Sequence, residues 1–138
     1  MGPNRRRAVV ILMVGTLIAV ACGGEDSEDR PASTELTVTQ SEFQFSPSTW
    51  RVPAGEQISI EITNAGTVPH QWVLYQGGVR IDSETSMPGP ESVIAQDEVE
   101  PGETTTLTFE APPAGTYQVV CAIPTHFDSG MQGALTSA

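Results

Sequence analysis

Gln57-Ile58-Ser59-Ile60-Glu61-Ile62-Thr63-Asn64 (QISIEITN) alternates without a fault, with Ile58, Ile60 and Ile62 on one face and Ser59, Glu61 and Thr63 on the other. A period of two is that of a pleated strand with one face buried, and β-branched isoleucine suits it. Such a face needs a second layer to cover it, so this strand implies a sandwich or a barrel. Pro53-Ala54-Gly55-Glu56 precedes it and Asn64-Ala65-Gly66 follows it, both turn signals. Upstream, Leu36 and Val38 alternate with polar residues, and Phe43 and Phe45 do so again after a one-residue phase break, the mark of a bulge or bend. Trp50 and Val52 then lead into the turn.

Downstream, Gln71 to Tyr75 (QWVLY) is short and rich in strand formers. Thr104 to Glu110 alternates through Thr105, Leu107 and Phe109; Ala111 to Gly115 is a turn; Thr116 to Cys121 alternates through Tyr117, Val119 and Cys121. Gly133 to Ser137 reads as a short closing strand. No stretch after residue 22 keeps a helical period for two turns. Gln76 to Pro101 has no clear period, and a connection that long carries function or conceals an element. The expected fold is all-β, a Greek-key sandwich or barrel of about seven or eight strands over residues 34–138.

The chain has 138 residues, room for one ordinary domain, with 38% apolar and 17% charged residues. All six basic residues are Arg, three of them at Arg5-Arg6-Arg7, and all 17 acids lie after residue 24. So acidic a chain is not a nucleic-acid binder, because phosphates need cations. Two Cys and two His exclude a zinc finger, an iron–sulfur cluster and a multi-histidine catalytic copper cluster.

Arg5 to Arg7 followed by Ala8 to Ala21, a 14-residue run without a charge, reads as an export signal over residues 1–21, too short for a comfortable membrane span. Ala19-Val20-Ala21-Cys22 resembles the lipobox of bacterial lipoproteins, which makes Cys22 the expected lipidation site and the membrane contact. The alternatives are an ordinary secretory signal and an uncleaved anchor. Residues 22–33, rich in acid and free of apolar pattern, are expected to be a flexible tether. Past residue 21, Arg30, Arg51 and Arg80 stand against the 17 acids, a net −14.

The residues that carry chemistry are His70, Cys121, His126 and Met131. The last three fall as C-x4-H-x4-M in a segment that also holds Pro124, Asp128, Ser129 and Gly130, so it is a loop that can fold a thiolate, an imidazole and a thioether round one point. His70 begins another strand, and the fold must bring it to the same end. One thiolate, two imidazoles and a thioether are a soft set that suits copper, in a His2Cys plane with a long axial Met. Hard cations prefer oxygen, and structural zinc sites seldom use Met. Met87 is the other methionine after Cys22 and lies in the unpatterned connection.

At these residues the sequence resembles the cupredoxins, the small blue copper proteins, and among them the azurin- and auracyanin-like members. Asn64 to Tyr75 (NAGTVPHQWVLY), Gly115 to Thr136 (GTYQVVCAIPTHFDSGMQGALT) and Pro53-Ala54-Gly55-Glu56 carry the likeness, over roughly residues 35–138. The resemblance implies an eight-stranded Greek-key sandwich with one type 1 copper near one end, an electron-transfer role without enzymatic activity, and electron passage at the edge of His126. It places Asn64, Pro69 and Gln71 round the ligands, with Gln71 reaching across to the ligand loop. Pro69, Gln71 and Thr125 stand where azurins have Gly, Asn and commonly Gly, and the azurin disulfide has no counterpart.

Ile123, Pro124 and Phe127 flank His126 and are expected to form an apolar docking patch or to be ordinary loop packing. The acidic surface suits a cationic redox partner such as a c-type cytochrome, or a membrane oxidoreductase; solubility or salt adaptation would serve equally. Two rival functions remain open at this stage. One is copper storage or delivery, the other a metal-free interaction module.

Overall fold

The computed structural model describes residues 30–138. The export signal, Cys22 and the tether as far as residue 29 lie outside the described residues. Nine strands follow in order: β1 (Glu35–Ser41), β2 (Gln44–Ser46), β3 (Thr49–Val52), β4 (Gln57–Asn64), β5 (His70–Tyr75), β6 (Val93–Val99), β7 (Thr104–Glu110), β8 (Gly115–Val120) and β9 (Gln132–Ser137). They form two sheets, β2-β1-β4-β7 and β3-β9-β8-β5-β6. The pairs β1·β4 and β3·β9 are parallel and the rest antiparallel. Sheet contact begins at Ser33, whose N–H donates to the Arg51 carbonyl at 3.0 Å.

The all-β sandwich expected from the alternating segments is present, with nine strands instead of seven or eight. The extra strand is β6, which the sequence shows only as a small apolar cluster at Val93 to Ala95; its outward residues Gln96 and Glu98 mask the pattern. Ile58, Ile60 and Ile62 are fully buried and meet Trp50, Trp72, Leu74, Val119 and Leu135 from the facing sheet. Each such side chain contributes about 1.5–3 kcal/mol by leaving water.

Strand β5 is buried on both faces, which is why QWVLY does not alternate. Trp72 and Leu74 enter the core between the sheets, while Val73 and Tyr75 join Ile81, Val120 and Phe127 in a second core outside it. The connection 76–92 builds that second core. It holds two single 3-10 turns, Glu84–Ser86 and Pro90–Ser92. Gln118 clamps it by accepting from the Ile81 N–H at 2.9 Å and donating to the Ile81 carbonyl at 3.0 Å. The phase break after Ser41 is neither bulge nor bend but a reversal: Ser41 pairs with Gln44, so Glu42 and Phe43 are the tip of the β1–β2 hairpin.

Candidate metal centre

The antiparallel pairing of β5 with β8, with Val73 opposite Val120, brings the start of β5 and the end of β8 to one end of the sandwich. His70 is the first residue of β5 and Cys121 follows β8. From Cys121 the chain leaves the sheet and returns as β9 directly after Met131. The loop closes on itself through backbone bonds: Cys121 N–H donates to Met131 O at 3.1 Å, Met131 N–H to His126 O at 3.1 Å, and His126 N–H to Ile123 O at 3.1 Å. Thr125 sits at φ +76°, a left-handed conformation that glycine adopts freely and threonine does not. It supplies the corner that turns His126 inward.

Three donor atoms converge. His70 Nδ1 lies 3.3 Å from His126 Nδ1, and Cys121 Sγ lies 3.3 Å from His126 Nδ1. One ligand atom from each of His70, Cys121 and His126 falls within 4.8 Å of the others. His70, Cys121 and Met131 are fully buried, and His126 is 7% exposed. Cys121 is a free thiol. A buried cluster of sulfur and imidazole lone pairs, with no carboxylate among its donors, fits a soft transition ion and copper in particular.

Burial pushes the Cys121 thiol up, with the charges of Glu98 and Glu84 adding to it and the N–H groups of Gln71 and Ile123 opposing. The Gln71 N–H donates to Sγ at 3.3 Å. Burial, then the neighbouring His126, pulls the His70 imidazole down, against the opposing pull of Glu42.

The surroundings of the ligands differ from expectation at Gln71. The Gln71 side chain does not cross to the ligand loop; β5 points it to β6, where Nε2 donates to Glu98 Oε2 at 2.7 Å, and only its backbone serves the thiol. Of the two readings of Phe127, loop packing is the one present: it is 6% exposed and packs in the second core, with Met87 at that core's edge and not at the metal centre. Asn64, the last residue of β4, is fully buried. Its Nδ2 donates to Val68 O and Val99 O, both at 2.8 Å, and its Oδ1 accepts from Gly66 N–H at 2.8 Å, so it clasps the turn leading to His70. Pro69 closes that turn, half-buried.

Two residues at the centre lie outside the ligand pattern, and both come from the β1–β2 hairpin. Phe43 stacks edge-on to His126 with ring centroids 4.8 Å apart. Glu42 Oε1 stands 3.6 Å from His70 Nε2. The phase break was the one sign in the sequence that this segment turned back.

A two-sheet sandwich with a buried Cys-His-His cluster at one end, joined by Met131 at the mouth of β9, defines a class of small soft-metal β-proteins. The cupredoxin-like domain family matches residues 9–136, and the chain belongs to that family. It is 29% identical over 155 aligned positions to Auracyanin-A of Chloroflexus aurantiacus, covering 95% of each chain. Auracyanin-B of the same organism is 28% identical over 139 positions, which cover 88% of this chain and 59% of that one. The crystal structure of dithionite-reduced auracyanin from Roseiflexus castenholzii superposes with a TM-score of 0.68 at 29% identity, over 78% of this chain and 99% of the other.

Proposed function

We propose that this protein is an extracytoplasmic one-electron carrier holding a single type 1 copper. The observation that carries the reading is the convergence of His70 Nδ1, His126 Nδ1 and Cys121 Sγ, three buried donors within 4.8 Å of one another, on two strand ends and one loop. His70, Cys121, His126 and Met131 would hold the copper, with the Met131 thioether its weakest donor. Copper supplies the chemistry by cycling between Cu(I) and Cu(II). The chain supplies a site suited to little rearrangement: the loop is closed by its own backbone bonds and all four donor residues are buried. The auracyanin relatives support the same reading. It is a carrier and not an enzyme; no small-molecule substrate enters the reading.

Of the donors, only His126 keeps some exposure, 7%, which supports electron passage there. Pro124 is exposed and Ile123 half-buried beside it. Phe43 covers the ring, and Val68, the most exposed large apolar residue described, lies two residues before His70. An apolar spot of this kind on so acidic a chain suits a cationic redox protein, such as a c-type cytochrome or a membrane oxidoreductase. The export signal and Cys22 support a lipid-anchored protein, held on the order of 20 Å from the membrane by the tether.

The test is a visible absorption spectrum of the purified protein with Cu(II), repeated on Cys121→Ser. An intense thiolate-to-copper charge-transfer band that ascorbate bleaches reversibly, and that Ser abolishes, is expected; a colourless wild type overturns the reading. A copper-delivery role would instead give rapid loss of Cu(I) to an acceptor protein.

A further inference from the structure

We propose that Glu42 is an anionic positioning residue for His70, held by the β1–β2 hairpin against the Nε2 side of the ring so as to favour Cu(II) over Cu(I). This rests on the copper reading above.

Three observations carry it. First, His70 Nε2 is fully buried and, among the described residues, has no hydrogen-bond partner; the charged atom within ion-pair range of it is Glu42 Oε1 at 3.6 Å. A buried polar N–H with no other acceptor is costly, and a carboxylate in front of it offsets that cost. Second, that oxygen is fixed from the ligand's own side. It accepts from the Thr67 N–H at 2.6 Å, the Val68 N–H at 3.3 Å and the Thr67 hydroxyl at 3.4 Å, all in the turn that leads to His70. Third, the cradle is shaped for it. A Cβ on Gly66 would overlap Glu42 Oε1 and stand 3.0 Å from His70 Nε2, so any side chain there would push the carboxylate off the ring. Phe43 packing on His126 holds the same hairpin against the other histidine.

The chemistry follows from the tautomer. With Nδ1 aimed at the metal, Nε2 carries the proton. A carboxylate facing that N–H fixes the ring's orientation and makes it a better donor, and such outer partners are typically worth 10- to 100-fold in metal affinity. The negative charge also favours the more positive oxidation state. The Thr67 and Val68 N–H groups donate to the Glu42 oxygen and favour the carboxylate form.

Glu42→Gln keeps the shape and an oxygen for the Thr67 N–H while removing the charge. The expected result is about a tenfold loss of Cu(II)-over-Cu(I) preference, a midpoint potential about 59 mV higher for a one-electron couple. Gly66→Ala should move the potential the same way with every charge retained. In the metal-free protein, nitrogen NMR of His70 should show Nε2–H in wild type and a mixture of tautomers in Glu42→Gln. A potential changed less than twofold in that preference, with only the unfolding midpoint altered, would make Glu42 a plain anchor of the turn and overturn the proposal. An unchanged tautomer would overturn it as well. Failure of the wild type to bind copper would sink the functional reading instead, and the tautomer measurement would still judge the hold of Glu42 on His70.

Discussion

Cys121 and Met131, ten residues apart in the chain, are joined at their backbones: the Cys121 N–H donates to the Met131 carbonyl at 3.1 Å as β8 ends and β9 is about to begin. The thiol and the thioether are thereby set at the mouth of one loop, with His126 at its tip. The metal centre is a strand-pair closure: its sulfur donors stand where β8 ends and β9 begins.

Met131 is fully buried in the core as well as placed at the metal centre, so its two roles separate by substitution. Met131→Leu conserves volume and should cost less than about 1.5 kcal/mol in the metal-free protein, whereas Met131→Ala should cost about 2–5 kcal/mol. The Leu variant should still bind copper but at a higher potential, because a weak donor to Cu(II) has gone. Urea denaturation and spectroelectrochemistry on both variants check this; a Leu variant with the wild-type potential removes Met131 from the ligand set.

Metal uptake must displace the Cys121 proton. Burial raises the thiol, so it is protonated at neutral pH in the metal-free protein. Apparent copper affinity should therefore fall about tenfold for each unit of pH lowered through the neutral range. Competition titrations against a chelator of known affinity measure the slope, and a flat profile contradicts a thiolate ligand.

Stability of the metal-free protein should fall as pH falls. His70 holds its proton less well folded than unfolded, so its contribution is complete above the ordinary 6.5 and is lost on going below it. Glu42 is depressed from 4.5 to about 2, so its contribution is present above 4.5 and lost between those values. Urea midpoints across this range should decline in two stages; Glu42→Gln should flatten the lower one and deepen the upper one, because the carboxylate opposes the fall of the His70 pKa. A midpoint that rises toward acid would refute both assignments.

Thr125 occupies a left-handed corner at φ +76°. That conformation costs an L-residue about 1–2 kcal/mol, while glycine adds about 0.4–1 kcal/mol of chain entropy to the unfolded state. Thr125→Gly should thus be neutral or slightly stabilising, because Ser129 bonds to the residue 125 carbonyl and not to its side chain. Thermal unfolding reads the sign, and a clear loss of stability would show that the Thr125 side chain has a role of its own.

If electrons pass at His126 to a cationic partner, the second-order rate of reduction by a basic cytochrome should fall steeply as salt rises, while the rate with a neutral small reductant should not. Equal salt dependence for the two would detach the acidic surface from partner recognition.

Much of this was legible in the residues themselves. QISIEITN and TTTLTFE alternate because each faces the core on one side and water on the other, and β4 and β7 appear where the alternation puts them. Cys121, His126 and Met131 were readable because they share one loop, and their chemistry is in their atoms. What the linear order did not contain was decided by packing. Strand β5 hides its period because a second core covers its outer face, and β6 hides in charged residues. Gln71 points to Glu98 because strand register, and not kind of residue, aims a side chain. Glu42 reaches His70 only because Glu42 and Phe43 turn the chain back over the end of the sandwich. Local pattern is a one-dimensional record of which face is wet; the meeting of residues 42, 70 and 126 is a property of how the sheets close, and only the folded chain holds it.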